Sequence, residues 1–216
     1  MLNKKLITFS LIMLFCLSVF IPYTYAEPNT TDIPKSGQTE SYNPQDDGII
    51  QAGQKWPDNR FAEEDGTIKD NLTGLRWLKD GNCVAGDPGG VKYLDVADQV
   101  SQFNHDPGSL NCDSYNVATH TQGWRLPTIV EFLSLMHVAP VTIKPDNSTS
   151  YNCGDWLESQ GFTDIINEYW SSTIDAKDND YVWYVHTYSA LTNTSKINDF
   201  GNPGFYHVLL VKEDNL

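Results

Sequence analysis

Positive charge is scarce in this sequence. The 216-residue chain holds 14 Lys and Arg against 28 Asp and Glu, a formal net charge of −14 at pH 7. Binding to nucleic acid needs a basic patch for the phosphate contacts that dominate such affinity, so that partner class is excluded. Docking on an anionic lipid surface is disfavoured for the same reason. Long apolar runs are also missing. The longest, Leu6 to Ile21, covers 16 residues and falls short of the roughly 20 that span a bilayer. His105, His120, His137, His186 and His207 are scattered, and no Cys-x-x-Cys occurs, so a zinc site has no support. The sequence contains no Gly-x-Ser-x-Gly elbow, no phosphate-cradling glycine loop and no internal repeat. Large side chains are plentiful: 40 % of residues are hydrophobic and 12 % aromatic, which excludes wholesale disorder.

Lys4 and Lys5 precede the apolar run, Pro22 ends it, and Thr24-Tyr25-Ala26 sets small residues where a signal peptidase reads. Residues 1–26 are therefore expected to be a secretory signal cleaved after Ala26, leaving no membrane span. Cys16 lies in the run without the small preceding residues that lipoprotein processing requires. The remaining 190 residues have 12 cations against 28 acids, a charge of −16, and retain Cys83, Cys112 and Cys153. Export delivers them to an oxidising compartment where disulfides persist. Three cysteines leave one thiol over, or paired with another chain.

Residues 27–55 are rich in Pro, Gly, Ser, Thr, Asn, Gln and Asp, and on composition form a flexible polar arm. The folded domain is expected over residues 56–216. Asp65-Gly66 between short segments predicts a hairpin, with a further strand around Leu75 and Trp77 after the Thr73-Gly74 turn. Tyr93 to Phe103, with Leu94, Ala97, Val100 and Phe103 at offsets of three, predicts a helix with that face buried. Thr128-Ile129-Val130-Glu131 reads as a capping box opening a second helix over about 129–137. A polar loop follows, and then three aromatic and β-branched segments predict strands: Tyr169–Thr173, Tyr181–Tyr188 and Phe205–Val211. Two helices among short strands give an α+β class.

Cys83 and Cys112 flank the first predicted helix. A bridge between them would close a loop of about 30 residues and contribute roughly 3–4 kcal/mol in the chain-entropy treatment; the rival pairings use Cys153. A thiol nucleophile at Cys153 with a distant His has no specific signal behind it. Asp175, Asp178 and Asp180 cluster between two predicted strands. They read either as a solvated acidic turn or as part of a calcium loop, although their spacing is not that of an EF-hand. No other cofactor is indicated. Trp124 is large enough to anchor a core, Arg125 to pair with a buried carboxylate, and Leu126-Pro127 to set an extended lead into the capped helix.

In chain order, four blocks resemble one family. They are Arg60-Phe61 with Asp65-Gly66-Thr67-Ile68-Lys69-Asp70-Asn71-Leu72-Thr73-Gly74-Leu75-Arg76-Trp77; Gly123-Trp124-Arg125-Leu126-Pro127-Thr128 with Glu131; Tyr169-Trp170-Ser171-Ser172-Thr173; and Val182-Trp183-Tyr184-Val185. The chain is on this ground similar to the Lcl C-terminal domain family, long catalogued as a domain of unknown function. The resemblance implies a C-type-lectin-like fold of short twisted antiparallel strands with two main helices. Its structural hallmarks would be Trp124, Arg125, Pro127, Thr128, Glu131 and Trp170. It also implies a bacterial protein exported to the periplasm or cell surface, and an arm ordered against the domain. The adhesin that gives the family its name binds sulfated glycosaminoglycans, so the functional implication is glycan binding and attachment. A charge of −16 would repel polysulfated chains rather than steer them in.

The expected function is therefore a non-catalytic recognition or attachment domain for a carbohydrate or surface-protein ligand. Its rivals are a secreted enzyme of the formylglycine-generating type, which needs a reactive cysteine pair, and a structural envelope protein binding others through its arm. Along Tyr181–Tyr188 side chains alternate, which places Trp183 and Val185 toward the core. Tyr184, His186 and Tyr188 then form an aromatic surface suited to sugar rings, or a second buried face.

Overall fold

The computed structural model describes residues 33–84, 89–110, 112, 115–137, 142–143, 147–197 and 204–214. The expected leader over 1–26 and the first residues of the arm lie outside them.

The Asp65-Gly66 signal produces the expected hairpin. Strands β1 (Phe61–Glu64) and β2 (Thr67–Asp70) pair antiparallel across the two residues, whose φ angles are +51° and +75°. Positive φ at both central positions is what matches a tight turn to the twist of its strands. Strand β3 (Leu75–Leu78) follows antiparallel to β2. A three-residue strand near the C-terminus, Val211–Glu213, closes this sheet beside β3. The second sheet is antiparallel and three-stranded, formed by Glu168–Ile174, Tyr181–His186 and Leu191–Lys196 in chain order. A two-residue pair, β4 (Thr142–Ile143) with β5 (Thr149–Ser150), precedes it. The strands of the second sheet are accordingly β6, β7 and β8, and the closing strand of the first is β9.

Helices join and cover the sheets. They are α1 (Asp47–Ile50), α2 (Val96–His105), α3 (Ile129–Leu135) and α4 (Cys153–Ser159). The class is thus α+β with antiparallel sheets, but among the described residues three helices rather than two have seven residues or more. Helix α4 falls in the stretch expected as a polar loop. Asn152 starts it by accepting the Asp155 amide at 2.7 Å, and Trp156 and Leu157 bury its apolar face.

The first helix differs from expectation in which face it buries. Tyr93–Asp95 is a 3-10 turn, and α2 proper begins at Val96. Val96 and Phe103 are buried with Val100 packed beside them, whereas Leu94 and Ala97 are exposed. Offsets of three drift around a 3.6-residue helix, and the i, i+4, i+7 set holds one stripe.

Phe205–Val211 is not one strand. Val208 to Val211 are buried at 1 % or less, and the segment runs between the sheets with bonds on both sides. Tyr206 exchanges with Val91, His207 bonds along β6 at Glu168 and Trp170, and Leu210 O accepts from Leu78 N. Burial on both faces explains the continuous apolar run without a single continuous ladder.

Residues 33–55 are ordered, contrary to the compositional reading. Lys35 N donates to Gln54 O at 3.0 Å, Gln54 N to Ile33 O at 2.8 Å, and the Trp56 indole to Lys35 O at 2.9 Å. The Asp46 carboxylate gathers the amides of Tyr42, Asn43 and Ile49. Hydrogen bonds set the path of the arm; α1 buries none of its own residues.

Candidate functional site

The hallmark residues are engaged in holding the fold. Trp124 is 2 % exposed. Asn104 clamps it, its side-chain oxygen accepting the Gly123 and Trp124 amides at 3.0 Å each while its Nδ2 donates to Trp124 O at 2.8 Å. Thr128 and Glu131 close the expected capping box. The carboxylate that Arg125 meets is Glu131 itself, half-buried, at 2.7 and 2.9 Å. Burial opposes the charge on Glu131, but Arg125 and the Thr128 amide outweigh it and hold the carboxyl below the usual range. Pro127 O accepts the Ser172 amide, and the Trp170 indole donates to Val91 O at 2.8 Å. These polar groups are largely spent within the fold, although the Trp124 indole N–H is buried without a hydrogen bond of normal geometry.

On β7 the faces do not divide as alternation predicts. Val182 and Val185, on opposite faces, are both fully buried, while Trp183, expected in the core, is half-buried. Tyr184 stacks on Tyr206 with ring centres 4.2 Å apart, and Tyr206 in turn on Trp170 at 4.4 Å. Burial, reinforced by the Tyr206 hydroxyl, pushes the Tyr184 phenol up to about 12. His186 is half-buried with Nδ1 3.2 Å from Ser189 Oγ. Tyr188 lies past the end of the strand, 60 % exposed, its ring edge-on to His186. The three residues named from the sequence thus form a broken ledge. Tyr206 belongs to the same aromatic group, and the exposed Phe205 precedes it in the chain. Sequence reading had assigned both to a plain strand.

Asp175, Asp178 and Asp180 do not converge. Asp175 accepts the Lys177 amide and Asp178 the Asp180 amide, each at 3.0 Å, as in turns capped by their own side chains. Among the described residues no three His, Cys, Asp or Glu stand together as a metal site. Cys83 and Cys112 are bonded to each other, as expected, and Cys153 is a free, buried thiol. Burial pushes that thiol up to about 11, against the opposing His137 amide and Arg60. A thiol held protonated at neutral pH is a poor nucleophile.

Sequence reading missed a cleft of about 860 Å³ between the arm and α3. Its walls are largely apolar, with Ile33 from the arm and Trp56 just after it, Leu72 from the β2–β3 turn, Leu75 from β3, and Val130 and Leu133 from α3. Val130 is 69 % exposed and Leu133 43 %. Behind Trp56 lies a buried stack. The Arg60 guanidinium sits 4.4 Å from the Trp56 ring centre, bonds Asp70 twice at 3.0 Å and reaches Ser134 O at 2.5 Å. The one available signal was in the helix pattern, since Val130 and Leu133 lie off the stripe of Phe132 and Leu135 that reaches the core.

Residues 66–212 match the family model of the Lcl C-terminal domain. No curated protein and no solved structure matches the chain.

Proposed function

The chain belongs to the Lcl C-terminal domain family, and from that premise we propose that it is an exported, non-catalytic recognition or attachment domain that binds a carbohydrate on a C-type-lectin-like fold. The observation that carries this reading is the aromatic pair of Tyr184 and Tyr206, stacked at 4.2 Å, with exposed rings close in the chain at Phe205 and Tyr188. Exposed rings offer apolar faces to a sugar, and their hydroxyls and His186 offer hydrogen bonds that fix its orientation. The acidic surface favours a neutral glycan over a polysulfated one. Export follows from the leader pattern of residues 1–26, and periplasmic or cell-surface residence from that together with the disulfide. The Cys83–Cys112 bridge and the protonated, buried Cys153 support the non-catalytic reading against the formylglycine-type rival.

Glycan-array screening of the purified protein tests the proposal. Binding to neutral glycans is expected, and replacement of the exposed Tyr188 by Ala should abolish it with a melting temperature nearly unchanged. Binding that survives Tyr188→Ala and Phe205→Ala together would overturn the site. The cleft beside α3 favours a second reading, attachment to a surface protein through apolar side chains, for which Leu133→Asp is the corresponding test.

A further inference from the structure

Across the first sheet runs a row of cations. Lys69 stands opposite Arg76 on β2 and β3, and Arg76 opposite Lys212 on β3 and β9. Directly opposed residues share a face, and like charges there repel. The neighbouring positions Ile68, Trp77 and Val211, on the other face, are fully buried. Two of the three cations are answered. Asp214 lies 2.6 Å from Lys69 Nζ and 2.7 Å from Arg76 Nε, and Glu64 lies 3.0 Å from Arg76 Nη1. Lys212 differs. Its ammonium donates to the Thr121 hydroxyl at 2.5 Å and sits 4.7 Å from the centre of the Trp124 ring. No carboxylate among the described residues forms an ion pair with it. In a chain with twice as many acids as bases, a half-buried lysine that makes no direct ion pair needs a reason. Burial and the neighbouring Arg76 depress its pKa against the weaker pull of Asp214, so an incoming anion would relieve an electrostatic cost.

Lys212 and Arg76 line a polar pocket of about 250 Å³, with Thr67, Tyr115 and Thr119 as further walls and Glu64 and Asp65 completing it. The pocket displays donors and acceptors separately. The Tyr115 hydroxyl is 2.7 Å from His120 Nδ1, and His120 Nε2 is 3.0 Å from Asn104 O. A carbonyl only accepts, so Nε2 carries the proton and Nδ1 accepts from Tyr115. The Tyr115 oxygen in turn faces the Thr121 amide and the Trp124 indole, so Tyr115 is a wall of the pocket and not a ligand acceptor. Thr119 Oγ1 donates its proton to Asn116 O at 3.1 Å. Donors to a ligand come from Lys212, which keeps two ammonium protons beyond the one given to Thr121, and from Arg76 Nη2, which no partner takes among the described residues.

We propose that this pocket binds a small carboxylic acid carrying a second polar donor, that is, a hydroxy or amino acid. The carboxylate lies against Lys212 and Arg76, and the hydroxyl or ammonium faces Asp65, Glu64 and the Thr119 oxygen. Size supports the class, because the pocket holds the volume of only about eight waters and lies below the ~300 Å³ at which drug-sized sites begin. Charge supports it too. The two cations and two carboxylates of the pocket cancel, which suits a compact ligand better than a polyanion. The overall negative charge is screened beyond about 8 Å in physiological salt, whereas the contact with Lys212 is not. This site is separate from the aromatic ledge and stands or falls independently of it.

The test is a titration of isotope-labelled protein followed by amide chemical shifts, using lactate and alanine and, as matched neutral-ended controls, lactamide and alaninamide. Saturable shifts at Arg76, Thr119 and Lys212 are expected with both acids and absent with both amides. Lys212→Met, which keeps the stem over Trp124, should weaken binding at least tenfold, and Lys212→Arg should stay within a few-fold of wild type. The charge-conserving variant keeps the comparison sound if the Met variant melts early. Absence of saturable shifts with either acid, equal binding of the amides, or unchanged affinity in Lys212→Met would each overturn the proposal.

Discussion

Arg60 and Asp70 are the residues on which most local structure converges. Their side chains are 4 % and 0 % exposed. Asp70 also takes the Leu72 amide and the Thr73 hydroxyl at 3.0 Å each, which ties the β2–β3 turn to the pair. Removing one member of a buried pair strands the other charge, so Asp70→Ala should cost about 3–5 kcal/mol in urea denaturation. The hydroxyl of Thr128 is a smaller matter: Thr128→Ala should cost about 1 kcal/mol, the ordinary value of an N-cap. His137 sets a pH dependence. Its ring is edge-on to Trp56 at 5.3 Å and to Trp156 at 5.0 Å, and burial with Arg60 nearby pushes it down to about 4. The folded state resists a proton that the unfolded state takes near pH 6.5. Stability from this group is therefore complete above that pH and falls as pH drops toward 4, by up to about 3 kcal/mol. Denaturation midpoints between pH 7 and 4 should show that slope, and His137→Gln should flatten it.

At the scale of elements, the arm is attached largely through one ring. Trp56 packs against Arg60, His137 and Trp156, and its indole bonds Lys35 O. Gly37 sits so close that an added Cβ would lie 2.7 Å from the His137 ring and 2.9 Å from Trp56. Trp56→Ala should cost about 2–3 kcal/mol, less than full burial would because the ring is half-buried. It should also expose residues 33–55 to limited proteolysis under conditions where the wild-type arm resists. Elements were legible where local chemistry decides them. The Asp65-Gly66 turn and the Thr128–Glu131 box each satisfy their own backbone groups within a few residues. Strand β8 and helix α4 were not legible. The Leu191–Lys196 segment is an almost wholly polar edge strand with no alternation to read, and Gly154 in the first turn of α4 reads locally as loop.

For the whole molecule, the Cys83–Cys112 bridge spans 29 positions and joins the loops on either side of α2. Reduction should lower stability by about 3–4 kcal/mol, compared by urea denaturation with and without reductant. Native Cys153 should meanwhile resist alkylation, being 1 % exposed and pushed up to about 11. The sequence by itself determined the class, the hairpin, the capped helix and the family, since each rests on local patterning or on an ordered series of motifs, whereas it favoured the Cys83–Cys112 pairing without excluding Cys153. Tertiary structure alone decided which side of β7 is open, that residues 33–55 pack as a wall of the cleft, and that Lys212 stands beside Arg76. Those outcomes depend on what a distant segment covers. The Val208–Val211 run buries itself between the sheets and brings Tyr206 onto Tyr184, and no periodicity within β7 encodes the arrival of a ring from 22 positions downstream.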